Sequence, residues 1–313
     1  MNGILRAFAR SNKSILLSYA CALLIFVVIT LITPGFASGR HIRILLIDAS
    51  ILGLIAMGQT LVIITGGIDV SIPWTVNSAA TFLTLLTAGH DHGLGTVIPL
   101  LLAGTTFIGL LNGLGIAYLD IPPIIMTLGM NSVLLGGLLG VTGGRPGGQA
   151  PPAIQWMANG NVGFIPVIVI FWAIITFLAT IVLRKTAFGR QLYFIGSNEN
   201  VARFSGVDVR SRKLIVYCLS GFTAGVGGIL LAGRIGLSYL GMGDPYLFQS
   251  VIVVVLGGAS ILGGSGQYVG TVAGSFILTI VKGLLPVFNI PTSAQQVIYG
   301  VVLFIAVVLT SLL

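Results

Sequence analysis

Long apolar runs follow one another along almost the whole chain, and they decide what it can fold into. The runs are residues 15–33, 45–65, 72–88, 94–118, 124–142, 164–183, 213–233, 248–263, 268–286 and 295–312. A helix needs about 20 mostly apolar residues to cross a bilayer. Only 7% of the 313 residues are charged, whereas a soluble domain carries about 25%. The sequence therefore predicts an all-α, polytopic membrane protein: one transmembrane domain over 1–313 with about ten helices.

Two of these runs, 72–88 and 248–263, are the weakest candidates for a complete span. Re-entrant or broken helices are the alternative, and they are tolerated at membrane depth only where protein buries them. The first run, 15–33, follows a basic stretch and resembles a signal peptide. It is longer than a usual signal-peptide apolar region, so we interpret it as an uncleaved first helix.

Basic residues are concentrated in two places. Ten of the fifteen Lys and Arg residues lie either before residue 14 or in the segment 184–213. Cytoplasmic loops of membrane proteins collect Lys and Arg, so we expect both termini and the segment 184–213 to be cytoplasmic. The same bias accounts for the net charge of +8, which nucleic-acid binding would also explain. We therefore expect the lipid bilayer, and no nucleic acid, among the partners.

A weak internal repeat links two of the predicted spans. Ala103-Gly104-Thr105 is followed by Gly113, and Ala273-Gly274-Ser275 is followed at the same spacing by Gly283. The two spans lie five apart and would run in opposite directions, as an inverted five-plus-five repeat requires. Chance similarity is the alternative, because Ala, Gly and Leu are common in this chain.

The chain contains no pattern typical of a catalytic or metal site. Its three histidines are His41, His90 and His92, and a polar loop explains His90-Asp91-His92 better than a metal site does. The phosphate-binding motif G-x-x-x-x-G-K-S/T is absent from the sequence. We therefore expect a non-catalytic chain that binds no metal and no cofactor itself.

The acids in or near the apolar runs fall at the ends of predicted spans. They are Asp48, Asp69 and Asp120. Proton- and ion-coupled carriers usually keep acids near mid-membrane, where these bind and release the coupling ion. The positions of these acids therefore disfavour an ion-coupled secondary carrier.

Glycine clusters interrupt several spans, at 66–67, 143–148 and 257–266. Small residues let helices pack closely, and they also permit broken helices that open backbone groups to a polar path. Polar and aromatic side chains are candidates to line such a path, with the aromatic rings stacking on the apolar face of a sugar. The candidates are Gln59, Thr65, Asp69, Trp74, Asn77, Asn112, Asn131, Phe248 and Gln249. Helix–helix hydrogen bonds and interfacial aromatic positions are the alternative roles.

A short amphipathic helix is predicted inside the basic segment. Asn198 is a suitable N-cap, and Glu199 suits the positive end of the helix dipole. Val201 and Phe204 share one face, and Gly206 ends the helix. The spacing alone leaves two alternatives, a loop lying on the lipid surface and a docking surface for a cytoplasmic partner.

Four stretches of the chain, in order, resemble one transporter family. The stretch 58–71, which ends in Gly66-Gly67-Ile68-Asp69-Val70-Ser71, is similar to its GGIDLS region, and 186–190 is similar to the start of its cytoplasmic loop. The segments 195–207 and 254–266 are similar to its G-x-N-x-x-A-A-x-x-S-G-I and VVLGGTSLxGGxG motifs. The family is the permease subunit of ribose/xylose/arabinose/galactose-type ABC importers, which includes autoinducer-2 permeases. The chain departs from the family where Pro73 replaces a glycine.

The resemblance implies how the chain works. Two permease chains, identical or paralogous, form a path in the bacterial inner membrane for a sugar or sugar-like solute. A periplasmic binding protein delivers the solute, and two cytoplasmic ATPase subunits bind ATP and Mg²⁺. Residues 196–207, named the coupling segment below, contact the ATPase. Its expected contact residues are Gly196, Asn198, Glu199, Val201, Arg203, Phe204 and Gly206.

A branched-chain amino acid ABC permease is the main alternative function. An amino acid needs a partner for its ammonium and another for its carboxylate, and the sequence shows no such pair in mid-span. That favours a neutral polyol or sugar over an amino acid.

Overall fold

The computed structural model describes residues 13–285, 288, 291, 294, 295, 297–301 and 304. This part of the chain folds into twelve helices and one short hairpin. The helices are α1 (Lys13–Ile32), α2 (Gly39–Ile64), α3 (Ile72–Thr87), α4 (Leu94–Ala117), α5 (Pro123–Thr142), α6 (Pro152–Asn159), α7 (Val167–Lys185), α8 (Ala187–Ser197), α9 (Glu199–Phe204), α10 (Val209–Ile235), α11 (Tyr246–Leu256) and α12 (Tyr268–Leu284). The hairpin pairs β1 (Asn161–Val162) with β2 (Ile165–Pro166), antiparallel. The predicted helical fold class is confirmed.

Six helices of the described part are long and apolar enough to cross a membrane: α1, α2, α4, α5, α7 and α10. The apolar helices α11 and α12 are shorter. The two weakest predicted spans are indeed incomplete, because α3 has 16 residues and α11 ends at Leu256. Most of the predicted run 295–312 lies outside the described residues.

The core is built around α2 and α10, which are mostly buried, while α4, α5 and α7 expose much of their surface. Glycine brings the helices close together at this core. A Cβ atom at Gly109 of α4 would collide with the carbonyl oxygen of Tyr217 in α10, and one at Gly221 of α10 would collide with that of Thr105. Small residues at such crossings let helix backbones approach, so close packing is the role of these glycines.

The first turn of α2 begins earlier than its apolar run. The predicted span 45–65 starts six residues late, because the helix begins at Gly39 and the Ser38 side chain accepts a hydrogen bond from the His41 amide. Asp48 therefore lies inside α2 rather than at a span end. Its Oδ1 accepts a hydrogen bond from Nε of Arg234 in α10 at 3.0 Å. This pair joins α2 and α10 near one end of the core.

Pro73 lies in the first turn of α3. The first amide groups of a helix have no partner within the helix, so a residue without an N–H fits there. The departure from the family pattern at this position is therefore compatible with a normal helix start.

Candidate functional site

Asp69 lies in the interruption between α2 and α3 and is only 3% exposed. Its Oδ1 accepts hydrogen bonds from the Ser71 amide at 2.9 Å and the Ser71 hydroxyl at 2.6 Å. Its Oδ2 accepts from the hydroxyl of Ser220, in α10, at 2.6 Å. None of the three ion pairs in the described part includes Asp69. Asp69 thus lies between two spans, as predicted, but it is buried, so its position no longer disfavours an ion-coupled carrier.

Two further polar side chains reach the Asp69 interruption from neighbouring helices. Gln59 of α2 accepts a hydrogen bond from the Asp69 amide through Oε1 at 3.3 Å. Asn112 of α4 donates through Nδ2 to the Ser71 hydroxyl at 2.9 Å. We call Gln59, Asp69, Ser71, Asn112 and Ser220 the Asp69 cluster. The candidates Gln59, Asp69 and Asn112 are thus brought together by the fold.

Several buried polar atoms at the Asp69 cluster have no partner within the described part. They are Nε2 of Gln59, Oδ1 of Asn112 and the hydroxyl of the adjacent Tyr217. An unpaired buried polar atom is costly. The cluster therefore offers both a donor and an acceptor that remain to be satisfied.

Two other candidates lie along α3, apart from the hydrogen bonds of the cluster. Trp74 and Asn77 are both buried. Asn77 donates through Nδ2 to the carbonyl oxygen of Pro73 at 3.1 Å, and its Oδ1 is buried without a partner in the described part. Asn77 therefore has spare hydrogen-bonding capacity of its own.

The remaining candidates are dispersed. Thr65 caps the end of α2 through a 2.8 Å hydrogen bond to the Val62 carbonyl oxygen. Phe248 is 53% exposed, and Asn131 is half-buried on α5. Within the described residues, no hydrogen bond joins these three side chains to the Asp69 cluster.

Lys282 was not among the predicted site residues. Lys282, in the last turn of α12, donates from Nζ to Oε1 of Gln249 at 3.1 Å and lies 6.0 Å from the ring centroid of Tyr246. Gln249 itself is 1% exposed. None of the ion pairs in the described part includes Lys282. A lysine late in an apolar run indicates a charge within or at the edge of the membrane. The sequence does not show which side chains its ammonium group faces.

Ser71 and Ser220 were also missed, although a signal existed for Ser71. An acid two residues before a serine forms the local turn in which its carboxylate accepts from the following backbone. Ser220 carries no such signal, since it lies 151 residues from Asp69 in the chain.

The coupling segment is folded as its spacing predicts. Oδ1 of Asn198 accepts a hydrogen bond from the Val201 amide at 3.1 Å, so this residue is the N-cap of α9. Glu199 pairs with Arg203 one turn later at 3.2 Å and with Lys213 at the start of α10. Gly206 follows the helix with φ +82°, a conformation that glycine adopts without strain.

The apolar face of α9 is divided between the interior and the surface. Ala202 is fully buried in a small core with Ile195 and Val209. Val201 and Phe204 are 48% and 91% exposed. A large aromatic side chain so exposed on a structured basic segment is typical of a contact surface.

The loop between α11 and α12 contains the densest glycine cluster. It interrupts the run 248–263, and Gly263 and Gly264 have φ of +91° and +75°. The structure contains both alternatives for this cluster, because the helix ends at Leu256 and the glycines that follow pack closely against other parts of the chain. In the described part no group of three His, Cys, Asp or Glu side chains is placed to hold a metal ion.

Comparison with known proteins identifies similar chains. Residues 41–307 match the family described as "Branched-chain amino acid transport system / permease component". The chain is 30% identical over 300 residues to the autoinducer 2 import system permease protein LsrD of Photorhabdus laumondii, with 92% of this chain and 89% of that protein covered. It is 32% identical over 289 residues to the ribose import permease protein RbsC of Bacillus subtilis, with 91% and 89% covered. It is also 32% identical over 313 residues to LsrC, another autoinducer 2 import system permease protein, from Escherichia coli, with 96% and 87% covered. No solved structure matches the chain.

Proposed function

Because the chain belongs to the family of permease components of branched-chain amino acid transport systems, we propose that it forms the path of a sugar or sugar-like solute across the bacterial inner membrane. It is a non-catalytic, multi-pass permease subunit of an ABC importer, and the resemblance found in the motifs is confirmed. Relatives named for the import of ribose and of autoinducer 2 support a sugar-like solute.

The exposed face of α9 is the observation that carries the proposal. Phe204 and Val201 offer apolar surface on a helix that is capped and held to α10 by Glu199. We propose that these two side chains fill a groove of the ATPase subunit, with Arg203 making a charge contact. The partner subunits would bind ATP and Mg²⁺. On this proposal the N-terminus, α8 and α9 face the cytoplasm, in agreement with their basic residues. An even number of spans places the C-terminus on the same side.

Other partners follow from the same proposal. A second permease chain completes the path, either as a second copy or as a paralogue. The similarity to both LsrC and LsrD, two permease proteins of autoinducer 2 import systems, supports the paralogous arrangement. A periplasmic binding protein delivers the solute at the end of the molecule opposite α9.

We also propose a ten-span architecture with an inverted repeat. The repeat pairs α2 with α10, the longest helices of the described part at 26 and 27 residues. Each is followed by a short helix, α3 or α11, and then by the spans that carry the two related glycine patterns, α4 and α12. The matching order, which begins with two long helices of nearly equal length, supports the repeat beyond the sequence similarity.

We propose that the solute path runs past the unsatisfied polar atoms of the Asp69 cluster and past Asn77. Free amide and hydroxyl groups of this kind are suited to the hydroxyls of a polyol. We reject an ion-coupled carrier because of the family to which the chain belongs. A lack of buried acids is not a reason, because Asp69 is buried.

One observation favours the alternative solute, a branched-chain amino acid. Lys282 lies against Gln249 and Tyr246 without an ion-pair partner in the described part, and an ammonium group of this kind suits a carboxylate. The two solute classes are therefore tested side by side.

Reconstitution tests the proposal. The permease is placed in liposomes with the ATPase and binding protein encoded beside its gene, and uptake of ribose, autoinducer 2 and leucine is measured. We expect ATP-dependent uptake of ribose or autoinducer 2, and none from an ion gradient alone. Leucine uptake would establish the alternative solute, and uptake without the ATPase would refute the ABC mechanism. Phe204→Asp, or deletion of 198–205, should abolish uptake while the permease remains in the membrane.

A further inference from the structure

Gly196, the first residue of the coupling segment, packs against the backbone of two distant parts of the chain. A Cβ atom here would collide with the carbonyl oxygen of Ile64, the last residue of α2, and with the amide nitrogen of Gly264, in the loop between α11 and α12. A backbone atom cannot rotate away as the end of a flexible side chain does. Gly196 therefore places the coupling segment in direct contact with both.

The loop between α11 and α12 contacts both the end of α2 and Gly196. The Gly264 amide donates to the carbonyl oxygen of Ile64 at 2.9 Å. A Cβ atom at Gly263 would lie 2.9 Å from Cα of Gly66 and 3.0 Å from the carbonyl oxygen of Gly196. We call Gly66, Gly196, Gly263 and Gly264 the glycine junction. Three separate parts of the chain meet in it through backbone atoms.

Tyr193 of α8 adds a side-chain hydrogen bond to the junction. Its hydroxyl donates to the carbonyl oxygen of Gly266 at 2.8 Å. Burial raises the pKa of this hydroxyl, and the opposite effect of the positive charge of Arg184 is smaller. The hydroxyl thus stays protonated at neutral pH and keeps its role as a donor.

Asp69 follows Ile64 by only five residues in the chain. The glycine junction and the Asp69 cluster therefore lie at the two ends of one short segment. The chain passes from Ile64 through Gly66 and Gly67 to Asp69, and a Cβ atom at Gly67 would lie 2.6 Å from the hydroxyl oxygen of Tyr217 in α10. Asp69 is then bonded to Ser220 of the same helix. The segment 64–69 is therefore held by the junction at one end and by α10 at the other.

We propose that the glycine junction carries movement of the coupling segment to the Asp69 cluster, and that Tyr193 is a positioning residue that keeps α8 in register with the loop between α11 and α12. The inference rests on the proposed function. It adds the path along which the movement is transmitted. This path runs from α9 through Gly196 to the end of α2, and from there through Asp69 to α10.

Removing the Tyr193 hydroxyl tests the route. Tyr193→Phe is compared with Tyr118→Phe, which changes a 47% exposed tyrosine at the end of α4. The reconstituted importer is assayed for solute transported per ATP hydrolysed, with ribose as the probe, or with autoinducer 2 or leucine if the wild type transports one of these instead. One hydrogen bond is worth about 1 kcal/mol net, so we expect Tyr193→Phe to lower this ratio about fivefold. ATPase binding and the Tyr118→Phe ratio should stay at wild-type values.

The ratio of solute transported to ATP hydrolysed distinguishes a loss of coupling from a loss of structural stability. A variant that merely folds less well lowers uptake and ATP hydrolysis together and leaves their ratio unchanged. An unchanged ratio in Tyr193→Phe would overturn the proposed route, whereas a wild type without ATP-dependent uptake would instead refute the proposed function.

A second pair of variants tests the backbone contact. Gly196→Ala forces α8 away from Ile64, whereas Gly137→Ala adds the same methyl group at a position of α5 with open space around it. We expect the ratio to fall in Gly196→Ala and to stay at the wild-type value in Gly137→Ala. Equal ratios in the two variants would contradict the junction. If Gly196→Ala does not assemble, the transport ratio of Tyr193→Phe is by itself the test of the proposed path.

Discussion

Replacing Phe204 by alanine separates the docking role of α9 from its folding. The side chain is 91% exposed, so it contributes little to the packing of the permease alone. Substitutions at such surface positions usually change the free energy of unfolding by less than about 0.5 kcal/mol. We therefore expect Phe204→Ala to melt at the wild-type temperature and to insert normally.

The effect on ATPase binding should be much larger. A phenylalanine that becomes fully buried on docking removes about 150–250 Å² from water. At about 25 cal/mol per Å² this corresponds to about 4–6 kcal/mol as an upper bound. Alanine substitutions at the centre of interfaces cost about 2–4 kcal/mol. The affinity for the ATPase subunit should therefore fall by about 30- to 700-fold.

The assay measures ATPase binding to the permease in lipid nanodiscs, with a melting curve from the same preparation. The matched control is Phe164→Ala, because Phe164 is fully exposed in the hairpin between α6 and α7. This control should bind with wild-type affinity. Equal affinities for Phe204→Ala and wild type, or equal losses in both variants, would refute the assignment of α9 as the docking helix.

Three further substitutions test individual contacts. Asn198→Ala removes the N-cap of α9 and should cost about 1 kcal/mol of helix stability, seen as weaker ATPase binding than in Asn200→Ala on the same helix. Gly53→Ala adds a methyl group that collides with the indole ring of α7; it should destabilise the protein by about 1–3 kcal/mol and lower the melting temperature in detergent, unlike Gly137→Ala. Partial desolvation raises the pKa of the Asp244 carboxyl, although the side chain is exposed and water weakens the effect. The folded state therefore holds this proton slightly more tightly, and stability falls slightly as pH rises above the ordinary value of about 3.9. Asp244→Asn should raise the melting temperature slightly at pH 7 and leave it unchanged at about pH 3; a rise at both would contradict this cause.

The coupling segment was predictable from the sequence because its determinants are local. A cap at Asn198, an ion pair one turn apart and a left-handed Gly206 act over fewer than ten residues, and each has a known sequence signature. The position of Pro73 in the first turn of α3 is equally local, because that turn needs no amide donor at this residue. Locality also explains the late start predicted for α2, since hydropathy marks the apolar part of a helix while the cap at Ser38 marks its beginning.

Gln59, Asp69 and Asn112 were predicted candidates, but their assembly into the Asp69 cluster was not predictable, because the partners are distant in the sequence. An acid between two apolar runs indicates a solvated loop when only hydropathy is considered. Its burial depends on Ser220, more than 100 positions away, and on Asn112 reaching Ser71 from α4. Lys282 presents the same difficulty, since only the packing of α11 against α12 brings Gln249 to its ammonium group. Such pairs depend on the tertiary fold and have no local signature.

The contacts of the segment between α2 and α3 indicate that it is a rigid link and not a hinge. At Ile64 the contacts are backbone against backbone, so no side chain can adjust to absorb a displacement. At Asp69 a buried carboxylate depends on hydroxyl and amide donors, two from Ser71 and one from Ser220. Separating α10 from the segment would leave a buried oxygen of Asp69 without the hydrogen bond from Ser220, which is costly. On the proposed route, a displacement that begins at the coupling segment is therefore passed on to α10, because the alternative is to leave a buried polar group without its partner.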